Sequence, residues 1–138
     1  DFCLSRGLGD VYKRQHYYRA KAYLDAGKTD GAMEDLKVLA KDTRNVYGAE
    51  AKYKVAQIYF DGGQTDKAEQ EVLNYIEVST PHTYWLARSF VLLADVYMKL
   101  GRNLDAKQYL LSLKQNYQAD DDIAGMIESR LEKLKTEN

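Results

Sequence analysis

The chain is poor in the residues that punctuate, cross-link or catalyse. It has one cysteine, one proline, one tryptophan and two histidines in 138 residues. The single Cys3 excludes an intramolecular disulfide and leaves the redox compartment open, because many exported proteins also lack cystines. With Pro81 as the only proline, long stretches are free of the strongest helix breaker. His16 and His82 find no serine or cysteine with a plausible acid partner in sequence, so no catalytic triad is read. His82, directly after Pro81, reads as a structural or solvated residue in a first helical turn. No sign of charge dominates: 20 basic residues oppose 21 acidic ones, for a net charge of −1. That balance argues against a nucleic-acid binder and against a polybasic membrane-surface protein. No apolar run approaches the roughly 18 residues of a spanning helix; the longest candidate is Phe90 to Ala94. Neither Gly7-Leu8-Gly9 nor Gly62-Gly63 follows a strand or precedes a GK[ST] sequence, so phosphate loops are absent. Asp120 to Asp122 lacks the spaced ligands and the glycine of a calcium loop and reads as a helix cap. Glu34-Asp35, Glu69 and Glu71 read as solvated helix faces. No cofactor, metal or catalytic residue is expected, and the chain reads as no enzyme.

What remains is apolar residues at helical spacing, on a chain that is 45% hydrophobic and 30% charged. Its length suits one domain. The stretch from Ala49 to Thr80 shows the pattern most clearly. Around Gly62-Gly63, one run places Ala51, Val55, Ala56, Tyr59 and Phe60 on a face, and a second places Ala68, Val72, Tyr75 and Ile76. Intervals of three and four give each helix one apolar stripe. Neither stripe can be covered by its own helix, so the pair must fold back on itself and stack on a neighbour.

The neighbours are present as repeats. Gly27, Gly63 and Gly101 lie 36 and 38 residues apart. Five residues after each comes an alanine (Ala32, Ala68, Ala106), four before each a tyrosine (Tyr23, Tyr59, Tyr97), and seven before each another alanine (Ala20, Ala56, Ala94). The alanines let paired helices approach closely, and the tyrosines fill the space between units. The glycines leave the first helix through a turn that a Cβ disfavours. Thr29 or Asp30, Thr65 or Asp66, and Asn103 are the expected caps of the second helices. Helices are predicted at about 12–26, 30–42, 47–61, 65–79, 82–100 and 103–117. A seventh, over about 120–136, carries Ile123, Met126, Ile127, Leu131 and Leu134 on one face and Glu128, Arg130, Glu132 and Lys133 on the other. Asp120 or Asp121 would cap it, and its polar back suits the exposed end of a stack.

This pattern resembles the tetratricopeptide repeat over His16 to about Tyr117. In the middle unit Ala49, Val55, Ala56, Tyr59, Gly63, Ala68 and Tyr75 fall on the family's signature positions, and Pro81 comes one place late for the terminal proline. The family's tryptophan position holds His16, Lys52 and Phe90, a departure that weakens the match of the first two units. The resemblance implies an all-α, right-handed superhelix of three helix–turn–helix repeats (about 12–45, 47–80 and 82–117) closed by the capping helix. It implies a non-catalytic protein–protein interaction scaffold that binds a peptide or helix in a concave groove. The alternative is a structural spacer or end-cap of a longer solenoid with no binding of its own. The longer unit spacing resembles bacterial cell-envelope members of the superfamily and also the last repeats of long bacterial tetratricopeptide arrays; the first likeness implies an envelope location, which the residues themselves leave open.

In such arrays the first helices line the groove. Carried across residue by residue, the inward positions are Tyr17, Lys21 and Leu24; Tyr53, Gln57 and Phe60; and Val91, Asp95 and Met98. Aromatics and a methionine with few charges suit apolar anchors of a protein or peptide partner. Only Lys21 is basic, so the set does not reproduce the family's two-carboxylate clamp. The aromatic cluster Thr83-Tyr84-Trp85 with Phe90 has only Arg88 near it and reads as helix packing rather than a nucleic-acid platform, with Trp85 tying the third unit to Tyr75 and Ile76. Residues 1–15 stand apart: CLSRGLGDVYKRQ resembles a translated sequencing-library adapter, and periodicity begins only around residues 12–16. The segment is therefore expected to be non-native or disordered, and the repeat domain to be residues 16–138 of a C-terminal piece of a longer protein.

Overall fold

The computed structural model describes residues 2–78 and 80–136, with side chains from residue 9 onward. Its elements are α1 (Phe2–Asp25), α2 (Thr29–Leu39), α3 (Val46–Asp61), α4 (Thr65–Glu77), α5 (Thr83–Lys99), α6 (Asn103–Asn116) and α7 (Ile123–Thr136). Helices α1 and α2, α3 and α4, and α5 and α6 pack as antiparallel hairpins. Each new first helix also leans on both members of the unit before it: α3 on α2 and α1, α5 on α4 and α3. Like hairpins thus stack in parallel into an all-α solenoid. Helix α7 touches α6 and α5, the same two neighbours a fourth first helix would have. It caps the stack by taking that slot.

The repeat positions explain the stacking. Ala20, Ala32, Ala56, Ala68, Ala94 and Ala106 are all 1% exposed or less. Any larger side chain there would push paired backbones apart. Gly27, Gly63 and Gly101 adopt φ of 74°, 81° and 77°, the left-handed region that costs an L side chain about 1–2 kcal/mol. Around each glycine the same two hydrogen bonds close the helix. The amide of the following residue donates to the carbonyl of the repeat tyrosine (Lys28 to Tyr23, Gln64 to Tyr59, Arg102 to Tyr97, each 2.8 Å). The glycine amide donates to Leu24, Phe60 or Met98 at 3.1 Å. These are Schellman closures.

That closure corrects the expected caps of the second helices. Thr29, Thr65 and Asn103 are already helical, and the preceding Lys28, Gln64 and Arg102 occupy the N-cap positions without any side-chain capping bond. The turn is so short that the residue ending one helix also begins the next, and no polar residue stands in front of it. Asp30, Asp66 and Asp105 sit instead in the first turns, where a carboxylate still favours the positive helix end. Two later helices begin at side-chain hydrogen bonds. The Asn45 side chain accepts from the Tyr47 and Gly48 amides at the start of α3; before α7 Asp121 accepts from the Ile123 amide at 2.9 Å, while the N-cap position itself, directly before Ile123, falls to Asp122 rather than to Asp120 or Asp121.

Four boundaries differ from expectation by two residues or more, one of them the start of α7 at Ile123 rather than near 120. The first helix begins at Phe2 rather than near residue 12; no proline interrupts that stretch, and beyond residue 8 its side chains are mostly exposed up to His16. Helix α2 stops at Leu39 rather than at 42, because α3 crosses its end at Gly48. A Cβ on Gly48 would run into the backbone oxygens of Asp42 and Leu39. Helix α4 ends at Glu77, and Ser79, in its expected last turn, lies outside the described residues. The loops beyond these two helix ends are tied together: the Thr80 hydroxyl donates to the Thr43 carbonyl at 2.8 Å, and His82 Nε2 donates to the Arg44 carbonyl at 2.9 Å.

Two apolar clusters fill the stack. Ala20, Ala32, Leu36, Leu39, Ala51 and Val55 join the first unit to α3. A larger cluster, with Val72, Leu92, Leu93, Leu110, Ile123 and Ile127 at its centre, joins the second and third units to α7. His16 and Asp35 add a polar tie between α1 and α2. His16 Nδ1 lies 2.7 Å from the buried Asp35 carboxylate, and Arg19 reaches the same group at 2.6–3.1 Å. Asp35 is therefore buried, not on the solvated face expected for it.

Candidate functional site

The first helices α1, α3, α5 and α7 present one continuous side of the stack, and the nine groove candidates fall along it unevenly. Phe60, Asp95 and Met98 come together. With Lys99 of α5 and Ser129, Arg130 and Lys133 of α7 they line a cleft of about 470 Å³. Its apolar part is Phe60 and Met98, both half-buried. Its far wall is basic. Arg130 grips Asp95 through Nε and Nη2 at 3.1 and 3.0 Å. Lys99 and Lys133 are exposed, with no ion pair among the described residues.

The other candidates lie elsewhere. Tyr53 and Val91 are 7% and 3% exposed, so they support the inner face from beneath. The Tyr53 hydroxyl donates to Gln57 Oε1 at 2.9 Å, and Gln57 Nε2 donates to Asp61 at 2.8 Å, a polar ladder along α3. Leu24 lines a separate cleft near the turns, with Met33, Ile58 and Tyr59. Tyr17 packs against Tyr47, with ring centres 4.5 Å apart and planes tilted by 36°, and donates to the Glu50 carboxylate at 3.0 Å. Burial, and then the Glu50 charge, push the Tyr17 phenol up to about 12. Lys21 covers the same ring at 5.2 Å.

The aromatic cluster divides. Trp85 packs at a tilt against Tyr53 (5.7 Å) and meets Tyr84 edge-on (5.0 Å), whereas Phe90 stacks on Tyr109 of α6. Arg88 lies over the rings of Tyr53 and Trp85, at 4.9 and 5.8 Å from their centres. It donates to the hydroxyls of Tyr84 and Tyr53. Burial works against its charge, yet those two phenols leave its pKa raised. The Tyr84 hydroxyl in turn donates to Asp122 at 2.8 Å. Arg88 is thus spent on packing, and the loop before α7 is tied to α5.

Six residues had no such part in the sequence reading: Glu50, Arg88, Lys99, Ser129, Arg130 and Lys133. Glu50 and Arg88 share one repeat position, six before Ala56 and Ala94, and that periodicity could have found them. Arg130 and Lys133 were placed on a solvent-facing back of the cap. They instead line the inner side, because α7 occupies a first-helix slot. Among the described residues no group of three or more histidine, cysteine, aspartate or glutamate side chains is placed to hold a metal ion. No described helix is long and apolar enough to cross a membrane. Both histidines serve packing, one between α1 and α2 and one between loops.

Comparison with family models agrees with this geometry over two stretches. Residues 16–42 and 87–116 each match a tetratricopeptide repeat model. The first spans the packed part of α1 with α2, the second most of α5 with α6. No curated protein matches the chain. Over these two stretches the chain is similar to tetratricopeptide repeats, in keeping with the paired helices α1–α2 and α5–α6. The second unit, expected from its sequence to resemble the family most, lies between the matched spans and falls in neither.

Proposed function

We propose that the chain holds an extended peptide or a partner helix along the inner side formed by α1, α3, α5 and α7. One observation carries this reading: three successive first-type helices contribute Phe60, Met98 and Arg130 to a single cleft of about 470 Å³. A partner chain lying across them would meet apolar anchors beside charges that fix its register. The opposite side of the stack offers scattered single apolar side chains, such as Leu73 at 37% exposure, which is ordinary for a surface.

Binding to a peptide array tests the reading. The variant Phe60→Ala with Met98→Ala is compared with the outer-face variant Leu73→Ala. The inner pair is expected to lose most array signal and the outer variant to keep it. Equal retention by both would overturn the groove.

A further inference from the structure

We infer that the cleft between α3, α5 and α7 selects a peptide segment in which an apolar side chain is followed by carboxylates. The inference rests on the inner-side reading above and adds the partner's chemistry. The argument is charge complementarity. Three cations, Lys99, Arg130 and Lys133, surround one carboxylate, Asp95, beside the apolar pair Phe60 and Met98. Asp95 is already engaged by two N–H groups of Arg130. A guanidinium has five such donors, so Arg130 keeps donors for an incoming carboxylate while Asp95 fixes its orientation. A third, long contact of 3.5 Å runs to the Met126 carbonyl and holds the side chain against its own helix. Lys99 and Lys133 find no ion pair among the described residues.

The surplus of positive charge is local, since the whole chain carries a net charge of −1. It therefore acts as a selector at one place rather than as a general attraction. The recognising cations come from α7 and from the last turn of α5. They do not come from the middle of the first helices, so the capping helix is itself part of the recognition surface. An apolar side chain would enter between Phe60 and Met98, and the acidic residues after it would meet the rim.

The test is a titration of the full chain with two short capped peptides, followed through backbone amide shifts in NMR spectra. One peptide reads Ser-Gly-Leu-Phe-Asp-Asp-Gly-Ser; the other has lysines in place of the aspartates. The acidic peptide is expected to move the amides around Phe60, Met98, Lys99, Arg130 and Lys133, and the basic one to bind at least about tenfold more weakly. The exposed double variant Lys99→Glu with Lys133→Glu should reverse the preference while the remaining spectrum is unchanged. Equal binding of both peptides at the inner side would overturn the charge selection and leave the groove standing. Shifts at no inner-side amide with either peptide would overturn both. A single-stranded oligonucleotide giving the same shifts as the acidic peptide would assign the basic rim to polyanions in general and overturn the peptide.

Discussion

The Arg130 guanidinium holds both carboxylate oxygens of Asp95, at 3.1 and 3.0 Å, across the boundary between α7 and α5. The pair is neither fully buried nor fully exposed, its side chains being 30% and 23% accessible. A two-pronged geometry in that setting is worth more than an ordinary surface pair. A double-mutant cycle of Asp95→Ala and Arg130→Ala, read by chemical denaturation, should return a coupling of about 1 kcal/mol. Strictly additive losses would mean that apolar packing alone docks α7.

The repeat alanines make a sharper claim. Ala56 is 1% exposed between α3 and its neighbours, whereas Lys67 is exposed on α4. Ala56→Trp should therefore cost about 3 kcal/mol or more through forced separation of helices, and Lys67→Trp less than about 0.5 kcal/mol. Thermal melts of the two variants decide it. Matching midpoints would show that Ala56 does not sit at a close helix contact.

The stacking was legible because it depends on residues that recur. Alanine at a close contact, tyrosine one turn on and glycine at φ near 80° leave marks at a fixed period, and the period alone places three hairpins. The second-helix caps were misread because propensity favours Thr29 and Thr65 at such ends. The Schellman closure hands the N-cap position to Lys28 and Gln64 regardless of side chain. The cleft was only half legible. Phe60, Asp95 and Met98 occupy inner repeat positions, but Arg130 and Lys133 belong to a helix without a repeat partner. Their direction follows from α7 docking as a first helix, which depends on tertiary packing and not on periodicity. Val91 illustrates the converse: its repeat position points inward, yet closely packed neighbours bury it.

Gly48 and Gly125 are both helical glycines, and opposite outcomes are expected for the same substitution. At Gly125 a Cβ meets nothing within 4 Å, so Gly125→Ala should stabilise by about 0.5–1 kcal/mol through helix propensity. At Gly48 the Cβ would lie 2.6 Å from the Leu39 carbonyl oxygen and closer still to that of Asp42. These are backbone atoms that cannot turn aside, so Gly48→Ala should destabilise by about 2 kcal/mol or more despite the better propensity. Denaturation midpoints for the two alanine variants give the comparison. A stable Gly48→Ala protein would show that the end of α2 yields to α3.

Asp35 links the first hairpin to pH. The Arg19 guanidinium holds its carboxyl below the usual aspartate range. Burial opposes that shift, and the hydrogen bond from His16 adds to it. A carboxyl lowered on folding contributes stability that is fully present above the unfolded value of about 3.9 and is lost as pH falls through the folded one. Asp35→Asn removes the charge at every pH while keeping the shape. At neutral pH the variant should be less stable than the parent by about 1–2 kcal/mol, because Arg19 loses its ionic partner and the hydrogen bond to His16 loses its carboxylate oxygen. As pH drops below about 4 the unfolded chain's carboxyl takes up its proton first and the folded one only at a lower pH, so the two stabilities should converge across that interval. Urea midpoints measured from neutral to acid pH test this directly. A difference that stayed constant over the whole range would show that Asp35 contributes through its shape and hydrogen bonds and not through its charge.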